Sequence, residues 1–172
     1  MDIGILIAHP WFGTWAAALA GVVIALIAHR LGGLLLMRLT RPAPVLHAIV
    51  AKSRAPASVV LPLLALQTVW QAAPDELRWI DSVRHVNGLL MIAATTWLVV
   101  RIIAGFAKGV MDRHPVDVVD NMGARRIHTQ TRVLSRIAMT LATIMGAAML
   151  LMTFPGARRW ARACWPRPAW SA

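Results

Sequence analysis

Six histidines, one cysteine and seven carboxylates are the side chains of this 172-residue chain that could ligate a metal or act as acid, base or nucleophile. The histidines, His9, His29, His47, His85, His114 and His128, are scattered, and no two share a metal-ligand spacing with a third ligand. His114, near Asp112 and Asp117, comes closest to a site, but that polar stretch reads as a solvated loop. Cys164 has no base partner in the sequence and cannot form an internal disulfide. Gly32-Gly33 lacks the strand and helix that would make a phosphate loop. The sequence therefore points to no catalytic residues, no cofactor and no metal, and enzymatic function is not expected.

Positive charge, by contrast, is patterned. Asn121 to Arg136 reads as a helix in which Arg125, His128, Arg132 and Arg136 fall at i, i+3, i+7 and i+11, one basic face with Arg126 beside it. Such a face neutralises anionic headgroups and sets topology, each arginine contributing on the order of 1 kcal/mol near the surface. Alternatively it is a lever on the inner leaflet that couples bilayer state to helix packing. Gln67 and Gln71, four apart, share a helix face and either hydrogen-bond to a neighbouring helix or line a polar pathway. Arg101 lies near the end of an apolar segment, where it is expected to snorkel to the interface; the other reading is a buried functional charge.

The elements that carry these residues are apolar. Residues of hydrophobic type make up 58% of the chain and the formal net charge is +11, concentrated between the apolar runs. That distribution favours lipid headgroups over nucleic acid, for which no Arg/Lys run interleaved with aromatics is present. Four segments approach or reach the length of roughly 20 residues that spans a bilayer. They run from about Trp11 to Ala28, Ala57 to Ala73, Val86 to Phe106, and Ile137 to Phe154. Leu34–Met37 is too short to span and reads as a continuation of the first helix or an interfacial turn. Gly32-Gly33 and Pro42/Pro44 are expected to break the connection, and Pro74 to Val86 is expected to be a loop. The N-terminus does not resemble a signal peptide, since Asp2 replaces a basic n-region.

The expected fold is an all-α membrane protein of about four transmembrane helices, with a basic amphipathic linker helix before the last and no soluble domain. Residues 1–106 hold three spans and a basic cytoplasmic connection, 107–136 the basic linker, 137–157 the fourth span, and 158–172 an aberrant tail. The connections 29–54, 74–86 and 101–136 carry five, two and seven Lys/Arg residues. The positive-inside rule then puts the first and third in the cytoplasm and the N-terminus outside.

Residues 121–157 resemble the small-conductance mechanosensitive channels, in particular the larger bacterial members with extra helices before the pore. In those proteins an Arg-rich segment with a Thr-Gln pair leads into the last peripheral helix, which ends in a Thr-Phe-Pro-like turn. The matching residues are Arg125, Arg126, Thr129, Gln130, Arg132, Thr153, Phe154 and Pro155. The resemblance implies a homo-heptamer in the bacterial inner membrane, multi-pass with a periplasmic N-terminus, in contact with membrane lipids. Bilayer tension would gate it during osmotic stress. The family's pore is the following Gly/Ala-rich helix, then a cytoplasmic vestibule. The chain departs from that pattern after Gly156-Ala157, so the resemblance implies the tension-sensing region truncated before its pore and non-conducting alone. The alternative is a small polytopic protein of another kind, a transporter fragment or the membrane anchor of a sensor.

The tail from about Arg159 reads as a frameshift product. It packs three Trp and two Pro into residues 159–170, a composition that GC-rich DNA yields in a wrong frame. Shifted by one base, Trp160–Ala161 forces Gly, Cys164–Trp165 forces Leu and Trp165–Pro166 forces Ala. The free positions permit an apolar, small-residue string resembling the start of the family's pore-proximal segment. A genuine divergent end is the other reading.

Overall fold

The computed structural model describes residues 10–75, 79–113, 122–154 and 156; side chains are described from Phe12 onward and, in the last helix, from Ile127. They form four long helices: α1 (Pro10–Leu39), α2 (Pro44–Ala72), α3 (Ile80–Arg113) and α4 (Met122–Thr153). No strand occurs among the described residues. The helices have 30, 29, 34 and 32 residues, each more than the roughly 20 a bilayer core requires. All four are long and apolar enough to cross a membrane.

Each helix packs on its neighbours in the chain, α1 on α2, α2 on α3 and α3 on α4; among the described residues no other pair of backbones comes together. The result is an open row. Its interior is thin, with Ala18, Ala48, Trp70, Ala73, Ile80, Ala94 and Ala107 as the buried apolar residues. Large side chains face outward instead, among them Leu19 (69% exposed), Ile24 (66%), Leu134 (68%) and Leu151 (65%). A water-soluble fold rarely exposes apolar area on this scale, whereas hydrocarbon solvates it at no cost. Helices keep most of their backbone hydrogen bonds internal, as hydrocarbon requires, and this is a multi-pass helical membrane protein, with no soluble domain among the described residues.

The helices are longer than the apolar runs, and several boundaries differ from the sequence reading. α1 continues through Gly32-Gly33 to Leu39, because a membrane environment removes the water that would compete for the glycine amides. The chain turns only at Thr40–Ala43, closed by Ala43 N–H donating to the Thr40 carbonyl at 3.0 Å. Pro44 then occupies the first turn of α2, where its missing amide donor costs nothing. Pro56 and Pro62 lie inside α2. Each leaves one carbonyl of the preceding turn without its amide, a defect that spanning helices accommodate.

The loop expected over 74–86 is shorter, because α3 begins at Ile80. Trp79, just before it, has φ of 74°, an uncommon value for a bulky residue. α3 extends to Arg113, so Arg101 stands well inside the helix and not at its end. The basic linker and the fourth span are one continuous helix from Met122 to Thr153. No proline interrupts that stretch, and Gly146 alone breaks its apolar half without ending it. Residues 107–113 of the expected linker belong to α3. The expectations on His9, His114, Asp117, Pro155, Cys164 and the tail 158–172 fall outside the described residues.

Candidate functional site

The residues singled out by charge and resemblance lie along α4, so its attachment to α3 is the candidate site. One face of α4 is made of small residues. Thr131, Ser135, Ala138 and Ala142 are half-buried and Gly146 is buried, a stripe at helical spacing that lies against α3. Leu134, Leu141, Ile144 and Met145 are each at least 60% exposed, with Ile144 turned away from α3 and Leu134 and Met145 flanking the stripe. At Gly146 any Cβ would overlap the Thr96 side chain of α3. Two apolar gaps open along the same seam. One of about 530 Å³ lies between Ile102, Phe106 and Val110 of α3 and Leu134 and Ala138 of α4, with Ile49 of α2 also lining it. The other, about 310 Å³, lies between Met91, Thr95 and Val99 and the facing Ala142, Met145 and Met149.

Polar contacts mark the two ends of the seam. His128 Nε2 lies 3.2 Å from the Met111 carbonyl, so the ring belongs to the α3 contact and not to the outward basic face. Arg132 and Arg136 are exposed, as are Thr129 and Gln130; the side chains of Arg125 and Arg126 are outside the described residues. At the far end the Phe154 ring meets His85 of α3 edge-on, at 5.9 Å between centroids. The Thr153 hydroxyl donates to the Met149 carbonyl at 2.9 Å. The two halves of the family-like pattern, Thr129-Gln130 and Thr153-Phe154, are thus not brought together. Thr129-Gln130 lies two turns inside the start of α4 and Thr153-Phe154 at its end, about 36 Å apart at 1.5 Å per residue.

The α2–α3 contact is of another kind. A Cβ at Gly105 would sit 2.7 Å from the Ile49 Cα, and one at Gly109 would sit 2.6 Å from the Val45 Cα. Backbone lies on backbone there, which only glycine permits. At the other end Arg84 donates from Nε to the Trp70 carbonyl (2.8 Å), from Nη2 to the Ala73 carbonyl (2.9 Å) and from Nη1 to Asp75 (2.6 Å). The carbonyls of an α2 C-terminus have no intrahelical partner, and this guanidinium supplies one. Between these points buried Asn87 donates to Gln67 Oε1 at 2.5 Å. Gln67 is therefore a helix–helix bond, while Gln71 on the same face is exposed.

Arg101 is half-buried, and its Nε is buried with no hydrogen-bond partner. From Arg84 to Arg101 the helix rises about 26 Å at 1.5 Å per residue. If Arg84 marks one edge of the hydrocarbon core, Arg101 stands near the other. The antiparallel register set by Gly105 and Ile49 brings Arg101 to the level of Lys52–Arg54. Arg101 therefore belongs to a basic layer shared by neighbouring helices. Sequence reasoning missed Arg84, Thr96 and the glycine pair; the Gly105–Gly109 spacing of four was the available signal.

Among the described residues no three His, Cys, Asp or Glu side chains gather as a metal site. No family model, no curated protein and no solved structure matches the chain.

Proposed function

We propose that the chain is the membrane-tension-sensing transmembrane region of a mechanosensitive channel, in a bacterial inner membrane with its N-terminus outside. The observation that carries this reading is the mounting of α4. It is one uninterrupted helix whose basic half reaches beyond the apolar span. It rests on α3 through small residues, with apolar gaps along the seam. A protein responds to tension only if its states differ in their interaction with the bilayer. A helix with one lipid-facing side, headgroup-binding arginines and room to tilt meets that requirement. The resemblance of residues 121–157 to the channel family supports the same reading. A transporter fragment is the second reading, favoured by the buried, unpartnered Nε of Arg101.

The test uses the whole chain in liposomes with Cys164→Ser. Spin-label pairs at Leu61 and Leu141 report α4 against the hairpin, and pairs at Leu61 and Val86 report the hairpin itself. Osmotic tension, or thinner lipids, should change the first distance and leave the second. Unchanged α4 distances in both conditions would remove the tension reading.

A further inference from the structure

We infer that the groove between the C-terminal end of α1 and the first turn of α2 binds one anionic phospholipid, headgroup and acyl chain together. The inference requires only that the chain is embedded in a bilayer and stands whether or not the protein senses tension. The groove has a volume of about 760 Å³, and its lining includes Leu31, Leu34, Leu35, Arg38, Arg41 and His47. The order along α1 matters. The leucines, each more than 60% exposed, come first, and the two arginines follow toward the helix end. A phospholipid at this depth presents its groups in the same order, hydrocarbon toward the bilayer centre and phosphate toward water.

Four features favour an anion at the shallow end. Arg38 and Arg41 form no ion pair within the described residues. The described acid on the neighbouring end of α3, Asp112, is held by Lys108 at 2.9 Å. His47 lines the groove and its Nδ1 has no hydrogen-bond partner, so the ring has a donor or acceptor position left for a polar group that enters there. The N-terminus of α2 has no side-chain cap and no acidic residue in its first turn, which leaves the positive end of its dipole uncompensated. A free phosphate would satisfy these groups but would leave the leucines uncovered. A neutral lipid would cover the leucines but leave the arginines unpaired.

Native mass spectrometry of the full chain in detergent, with phosphatidylglycerol and phosphatidylcholine in competition, tests the assignment. The wild type should retain one phosphatidylglycerol. Arg38→Gln/Arg41→Gln should bind it about tenfold or more weakly. Arg158→Gln/Arg159→Gln, which removes equal charge from the tail, should retain it. Inorganic phosphate at millimolar concentration should not compete. Equal retention of phosphatidylcholine, effective competition by phosphate, or undiminished binding by the Arg38/Arg41 variant would each overturn the proposal. Should that variant misfold, phosphatidylglycerol with a photoreactive acyl chain decides on the wild type. Labelling must fall on Leu31–Leu35, and labelling confined to other segments overturns the site.

Discussion

The α2–α3 and α3–α4 seams are built from the same material, glycine and apolar side chains, yet they hold their helices differently. At α2–α3, Gly105 and Gly109 let backbone touch backbone, and Arg84 ties the opposite end to two main-chain carbonyls and Asp75. At α3–α4, Gly146 meets a side chain, Thr96, and gaps accompany the contact. A contact of backbone on backbone holds two helices at fixed distance, whereas an outer helix resting on one side chain with gaps beside it can tilt. The difference separates a rigid hairpin from an element mounted on it, because lipid gives no hydrophobic push to close a loose seam.

The largest effect is expected at the hairpin. Gly109→Leu should destabilise the fold by about 3 kcal/mol, since the new side chain has only the Val45 backbone to displace. Unfolding of the reconstituted protein by denaturant, followed by circular dichroism, measures it. A cost below about 1 kcal/mol would mean the hairpin is not closed by backbone contact. Next in size is Arg84→Gln, expected to cost about 2 kcal/mol by leaving the Trp70 and Ala73 carbonyls without a charged donor. The same unfolding assay applies, and amide exchange of the last turn of α2 should rise.

The smallest effect sharpens the contrast. Gly146→Ala should cost about 1 kcal/mol, because α4 can shift on its open side to clear Thr96. Thr96→Ala in the same chain should recover most of that loss. If Gly146→Ala proved as damaging as Gly109→Leu, or if Thr96→Ala gave no recovery, the two seams would have to be regarded as alike.

How much of this was legible in advance varies by element. The span count was, because partition of an apolar run into hydrocarbon depends on the run itself. The end of α4 near Phe154 and the bond of Gln67 to a neighbouring helix were legible for similar local reasons. So was the end of α2, expected at Ala73 and found at Ala72, but the start of α2 and the extents of α1 and α3 were not. Gly32-Gly33 and the polar start of α3 resemble breaks in water, but long helices continue past the apolar core where their backbone bonds remain internal. Arg101 was judged by its distance from the end of the apolar run, and the extension of α3 to Arg113 changed that distance.

By itself the sequence determined that this is a four-helix membrane protein with its positive charge gathered in particular connections, since hydropathy and charge are sums over neighbouring residues. Only the tertiary structure decided that Gly109 lies on Val45, that Arg84 caps α2, that Gly146 rests on Thr96, and that Arg38, Arg41 and His47 share a groove with three leucines. Those pairings depend on the register between helices. In a bilayer, register follows from close shape fit and a few polar bonds between distant residues, which no local pattern encodes.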